Sequence, residues 1–295
     1  MSGRFGTVIT AMVTPFDGKG ALDVDAAVAL ARWLTDNGSD GLVLTGTTGE
    51  GPVLTDEEDV ELWRAVAEAV TVPVVAGTGT NDTRHSIELT KRAEECGVAG
   101  ALVVTPYYNR PPQAGLEAHF RAVASATKLP ILIYDIPIRT GRRVARDTFV
   151  SLSDVGNIVG VKDAALDVAG SAALRAAMPD SFEIYSGNDD QTLALMAAAG
   201  AVGVISVASH WAGVHMAEMV AAAEKGDLAH ARQVNQRLLA SYDFETSDSA
   251  PNPIPTKAMM RVLGHAVGQC RLPMGPAPEG LEDEARRVLA NLQRA

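Results

Sequence analysis

Residues 41–76 read GLVLTGTTGEGPVLTDEEDVELWRAVAEAVTVPVVA, and this passage contains the unit from which the fold is built. It opens on an apolar run, Gly41–Thr45, and breaks at Gly46-Thr47-Thr48-Gly49-Glu50. It then continues as an amphipathic stretch, Asp56–Val70, and returns to an apolar run, Val72–Ala76. Thr55 with Glu58 three residues on forms a capping box, which starts a helix there. The apolar runs are continuous rather than alternating, as in strands buried on both faces of a parallel sheet. Further runs of this kind lie at Thr7–Val13, Gly100–Thr105, Ile131–Tyr134, Ile158–Lys162, Phe182–Tyr185 and Ala201–Val207, with helical spacing between them, as at Thr83–Cys96. Eight such strand–helix units in about 225 residues, joined by right-handed crossovers, predict an α/β fold, a (β/α)8 TIM barrel. The barrel is expected over residues 1–226. A C-terminal helical appendage is expected over 227–295, with helices at Asp227–Tyr242, Pro255–Leu263 and Glu279–Leu292. A doubly wound open sheet is the competing architecture.

The 295 residues are 47% hydrophobic and 21% charged, ample for a packed core and unlike a disordered chain. A net charge of -11 repels phosphate backbones and argues against a nucleic-acid partner. The two cysteines, Cys96 and Cys270, stand far apart, so free thiols, a reducing compartment and a cytoplasmic location are expected. The apolar stretch Phe5–Val13 runs into Thr14-Pro15 without a cleavage pattern, and no export signal is read from it. The uncharged stretch Gln191–Ala217 is interrupted by Gly200, Gly203, Ser206, Ser209 and His210, and reads as helix, buried strand, helix rather than as a membrane span.

In a barrel of this kind, reactive groups sit where strands end. Behind the second run lies Thr47-Thr48 in a glycine-flanked turn; behind the fourth, Pro106-Tyr107-Tyr108-Asn109. The fifth ends on Tyr134, the sixth on Lys162 and the seventh at Ser186-Gly187. Of the six lysines, Lys19, Lys91, Lys128, Lys225 and Lys257 occupy positions that suit a solvated ammonium, whereas Lys162 lies inside a strand. A buried lysine either loses its proton, becoming a nucleophile able to form a Schiff base, or pairs with a carboxylate, here neighbouring Asp163 or another. Tyr134 packs like any strand-end tyrosine unless it stands beside such an amine, where with a hydroxyl relay through Thr48 it can move protons. The Thr47-Thr48 turn offers N–H groups and hydroxyls to a carboxylate, or is a plain turn. Gly77-Thr78-Gly79-Thr80-Asn81 lacks the last glycine of a dinucleotide loop, and His210 and His215 are wrongly spaced for a shared metal. The acidic run Asp56-Glu57-Glu58-Asp59 reads as a solvated first helical turn.

Gly46-Thr47-Thr48-Gly49-Glu50, Val104-Thr105-Pro106-Tyr107-Tyr108-Asn109, Tyr134-Asp135-Ile136-Pro137-Ile138-Arg139-Thr140-Gly141, Gly160-Val161-Lys162-Asp163 and Asn252-Pro253-Ile254-Pro255 together resemble the dihydrodipicolinate synthases. These belong to the pyruvate-dependent class I aldolases of the N-acetylneuraminate lyase superfamily. The resemblance covers essentially the whole chain. It implies a lyase of lysine and diaminopimelate biosynthesis that condenses pyruvate with L-aspartate 4-semialdehyde, with Lys162 as the Schiff-base lysine, Tyr134 as proton shuttle and Thr47 and Thr48 on the pyruvate carboxylate. Arg139 would take the semialdehyde carboxylate, and Gly187 and Ile205 would shape the pocket. Tyr108 would reach a neighbouring subunit's site and join a relay with Thr48 and Tyr134 in a homodimer or homotetramer. Pyruvate would be a covalently bound substrate, with no metal, cofactor, nucleic acid or membrane partner. Asp135 stands where the family more commonly has Asn. Asp56 and His85 stand where lysine-sensitive relatives carry a histidine and a glutamate, so weak or absent lysine inhibition is expected. Two alternatives stay open: a sugar-acid aldolase or N-acetylneuraminate lyase with the same Schiff base, and a non-catalytic ligand-binding barrel.

Overall fold

The computed structural model describes residues 3–294; Met1, Ser2 and Ala295, at the ends of the expected domain ranges, lie outside them. The strands are β1 (Val8–Ala11), β2 (Gly41–Leu44), β3 (Val74–Gly77), β4 (Gly100–Val104), β5 (Ile131–Asp135), β6 (Ile158–Asp163), β7 (Glu183–Ser186) and β8 (Gly203–Ser206). They pair in parallel in chain order and β8 closes on β1, giving the barrel rather than an open sheet. β5 and β6 extend one residue beyond their apolar runs, and the other strands are shorter than or shifted from theirs. The third begins at Val74 because Pro73 has no N–H for the ladder, and Pro73 only accepts, from Leu42.

The helices on the outside are α1 (Val24–Asp36), α2 (Asp56–Ala69), α3 (Thr83–Glu95), α4 (Gln113–Ser125), α5 (Pro137–Thr140), α6 (Arg146–Leu152), α7 (Val168–Ala177), α8 (Thr192–Ala199) and α9 (Ser209–Glu224). Thr55 and Glu58 form the expected capping box of α2, while Asp23, Asp82 and Asp167 cap α1, α3 and α7 through their side chains. Helices α5 and α6 are not legible in the sequence, being too short to establish a period. The tail folds as α10 (Leu228–Phe244), α11 (Ile254–Val262) and α12 (Leu281–Arg294). It shares one apolar core with α9, built around Met216, Met219, Val234, Leu238 and Met259. Inside the barrel, Phe5, Ile9, Val43, Leu132, Tyr185 and Ile205 interdigitate as a second core. Both cysteines are free and buried. No helix among the described residues is long and apolar enough to cross a membrane.

Candidate active site

The carboxyl ends of the strands open on a cavity of about 360 Å³ whose lining includes Thr47, Tyr107, Tyr134, Arg139, Asp56 and His85. Tyr134 on β5 and Lys162 on β6 are register partners, so both project into the barrel. Lys162 is 6% exposed and its Nζ lies 4.3 Å from the centre of the Tyr134 ring. Neighbouring Asp163 points the other way, toward α7, where it accepts hydrogen bonds from Ala165 N–H at 3.0 Å and Ser171 Oγ at 2.5 Å. The alternative of an ion pair between neighbours is therefore not realised; no carboxylate among the described residues pairs with Lys162. Tyr134 is 5% exposed, yet its hydroxyl has no hydrogen-bond partner among the described residues and borders the cavity. An amine buried beside a phenol is an arrangement that can combine a nucleophile with a proton carrier.

The Thr47-Thr48 turn is tightly specified. Thr45 and Glu50 flank it in the left-handed region, at φ +54° and +57°, where a side chain ordinarily costs energy. Trp63 of α2 holds Thr45 by donating its indole N–H to Thr45 Oγ1 at 2.8 Å. Gly51 is required because a Cβ there would collide with the Thr45 carbonyl. The N–H groups of Thr47 and Thr48 donate to nothing among the described residues, which leaves two donors free for an anion. Thr48 is buried, and its Oγ1 accepts a hydrogen bond from Asn252 Nδ2 at 3.0 Å. Its acceptor side is therefore engaged by the tail, while its proton remains free to donate.

The other expected residues fall into three groups. Arg139, in the last turn of α5, is exposed at the cavity mouth. Gly187 and Ile205 are not among the residues that line the cavity. Ile205 packs in the inner core with Tyr134, and Gly187 sits so close to β6 that a Cβ would meet the Ala164 Cβ at 2.8 Å. Tyr108 is not part of the cavity lining: it is 89% exposed and held at φ +71°.

Two sequence expectations are corrected. Lys257 is not solvated. It is fully buried in α11 and forms an ion pair with Glu50 at 2.6 Å. The acidic run is not wholly solvated either. Asp59 falls on the same face of α2 as Leu62, Trp63 and Val66 and is buried at the cavity wall. Burial, aided by the charges of Asp56 and Glu58, pushes its carboxyl up to about 8. Asp56 and His85, both in the cavity lining, bond to each other at 2.9 Å.

Residues 4–292 match the Dihydrodipicolinate synthetase family. The 4-hydroxy-tetrahydrodipicolinate synthase of Thermosynechococcus vestitus is 45% identical over 291 residues, spanning 98% of this chain and 97% of that protein. The crystal structure of a dihydrodipicolinate synthase from Bacillus anthracis superposes with a TM-score of 0.93 at 43% identity, covering 98% of this chain and 99% of that one. The enzyme from Cyanidioschyzon merolae with lysine bound superposes with a TM-score of 0.94 at 39% identity, covering 100% of both chains.

Proposed function

The chain belongs to the dihydrodipicolinate synthetase family, and from that membership and the cavity above we infer that it condenses pyruvate with L-aspartate 4-semialdehyde to 4-hydroxy-tetrahydrodipicolinate. The observation that carries this reading is the Lys162 amine, buried against Tyr134 with no carboxylate beside it. The amine attacks C2 of pyruvate and water leaves, giving an imine. Loss of a methyl proton converts the imine to an enamine. The enamine carbon attacks the aldehyde, and the alkoxide formed takes a proton. The acceptor's own amine then displaces Lys162 from the imine carbon, closing the ring and restoring the enzyme.

Each of these steps is carbonyl and proton chemistry. Tyr134 is suited to carry the protons because its hydroxyl is not engaged within the chain, and Thr48 can donate to it in turn. The free N–H groups of Thr47 and Thr48 suit the pyruvate carboxylate. Arg139 suits the acceptor carboxylate, which its guanidinium can grip at two points. Gly187 and Ile205 confine the pyruvate methyl by shape. Pyruvate is then a covalently held substrate, and the reaction draws on no further cofactor.

Tyr108 enters the proposal in trans. Tyr108 is an exposed phenol held at positive φ, outside the cavity lining of its own subunit. In a homodimer or homotetramer it can complete the relay with Thr48 and Tyr134 of a neighbour. The two buried free thiols suit a cytoplasmic enzyme.

The test is borohydride reduction with pyruvate, followed by peptide mass analysis. A pyruvate-derived adduct on Lys162 is the expected result; an unmodified Lys162 would overturn the reading. Assay with a sugar-acid aldehyde alongside the semialdehyde separates this activity from that of the sugar-acid aldolases.

A further inference from the structure

Behind the amine and phenol lies a second pair. Because Tyr134 and Lys162 are register partners facing inward, the next residues, Asp135 and Asp163, are register partners facing outward. Both are buried. Asp163 is committed to Ala165 and Ser171. Asp135 is committed elsewhere: its Oδ1 accepts the Val144 N–H at 3.1 Å, and Arg143 Nε stands 3.9 Å from its Oδ2. Arg143 reaches on to Asp167, the N-cap of α7, at 2.6 Å.

The bond from Asp135 to Val144 joins the two ends of a loop whose body is α5, and α5 carries Arg139. Bonds to backbone carbonyls hold the outer side of this loop. Gln113 Nε2, at the start of α4, donates to the Arg143 carbonyl, and the guanidinium of Arg110 donates to the Gly141 carbonyl, each at 2.9 Å. Asp135 supplies the carboxylate that holds the inner side.

We propose that Asp135 is a positioning residue for the acceptor aldehyde: in its ionised form it grips Val144 and Arg143 and so sets where α5 presents Arg139 over the cavity. This rests on the assignment of Arg139 to the acceptor carboxylate. The charged groups around Asp135 are Asp163 on β6, Asp167 at the start of α7, Arg143 in the loop, and Arg146 and Asp147 of α6, all lining one cavity of about 430 Å³. Burial pushes the Asp135 carboxyl up to about 7. The Val144 bond opposes the shift, Asp163 adds to it and Arg143 opposes it. Above that pH the carboxylate holds the Val144 N–H in a charge-assisted hydrogen bond and attracts Arg143 across 3.9 Å; below it the added proton weakens both. Acceptor affinity therefore falls as the pH drops through about 7, whereas pyruvate, bound at Thr47, Thr48 and Lys162, is unaffected.

Asp135→Asn keeps a carbonyl for Val144 but neither titrates nor attracts Arg143. At pH 8 the expected result is a rise of roughly three- to tenfold in KM for L-aspartate 4-semialdehyde, the size of one charge-assisted contact acting at one remove. The KM for pyruvate and the yield of the borohydride-trapped adduct stay at the wild-type level. The inflection near pH 7 in the wild-type acceptor KM is absent from the variant. In Arg143→Met, loss of the cation moves the inflection to higher pH. An Asp135→Asn enzyme with unchanged acceptor KM, one that keeps the inflection, or one in which both KM values rise together would overturn the proposal. A wild-type chain that forms no pyruvate adduct would overturn the catalytic reading, and this inference with it.

Discussion

Glu50 and Lys257 form an ion pair at 2.6 Å from which solvent is excluded on both sides. Lys257 Nζ also donates to the Gln269 carbonyl at 3.1 Å and lies 4.0 Å from the centre of the Phe16 ring, while the second Glu50 oxygen accepts the Arg271 N–H at 2.9 Å. Glu50 ends the turn that carries Thr47 and Thr48, so the tail fixes the wall of the candidate site from behind.

Removing one member of such a pair strands the other charge in the interior. Lys257→Met is expected to destabilise the fold by about 3–5 kcal/mol. The double variant Glu50→Gln/Lys257→Met is expected to recover a large part of that loss. Urea denaturation of the three proteins measures both; a single variant as stable as the wild type would contradict the expectation.

Asn252 links the same tail to Thr48, donating to its Oγ1 at 3.0 Å while accepting from Thr256 Oγ1 at 3.0 Å. Asn252→Ala leaves buried groups unpaired and is expected to cost about 1–3 kcal/mol of stability. It should also raise the KM for pyruvate, read by steady-state assay, because the Thr48 hydroxyl loses its orientation.

The Tyr134 hydroxyl has no partner among the described residues, so its removal separates chemistry from folding. Tyr134→Phe is expected to lower kcat by about 10²–10⁴ while the unfolding free energy changes by about 0.5 kcal/mol or less. Parallel kinetics and thermal melts test this; a large loss of stability would mean that the phenol has a structural role.

Asp59 predicts a pH-dependent stability. Its carboxyl titrates near 4 in the unfolded chain and at about 8 in the fold. The folded state therefore holds the proton more tightly, and the contribution to stability is full below about 4 and is lost as the pH rises toward 8. Asp59→Asn, which carries no charge to bury, is expected to stabilise the protein by about 1–3 kcal/mol at pH 8 and by little at pH 4. Melting curves across this range would show the two proteins diverging upward in pH; parallel curves would refute the assignment.

L-lysine is expected to inhibit weakly or not at all. Asp56 and His85 of the cavity lining are bonded to each other at 2.9 Å and Arg92 stands 3.5 Å from Asp56, so these groups are already engaged. Calorimetric titration or inhibition kinetics giving a low-micromolar constant would contradict this.

The legibility of the chain follows from the range of the forces involved. Continuous apolar runs mark each strand because both faces of a parallel barrel strand are buried. Thr55 and Glu58 mark the start of α2 because capping is local. Lys162 stands out because an ammonium inside an apolar run is anomalous wherever that run packs. Asp59 is easily misread, although its spacing from Leu62, Trp63 and Val66 places it on the buried face of α2; helical phase is a usable signal, and the charge run obscures it. For Lys257 there is no such signal, since α11 is buried all round from Ile254 to Met260 and offers no exposed face to set a period.

Local patterning along the chain was enough to specify the strand–helix repeat and the residues that end its strands, since these depend on neighbours a few positions apart, whereas the closure of β8 on β1 that excludes an open sheet is a tertiary pairing. The folded arrangement was needed to show that Lys162 turns away from Asp163 toward Tyr134, that Asn252 and Lys257 brace the Thr48 turn, and that Asp135 ties down the loop carrying Arg139. Those outcomes depend on strand register and on contacts between segments distant in the chain, where geometry rather than local preference selects the partner.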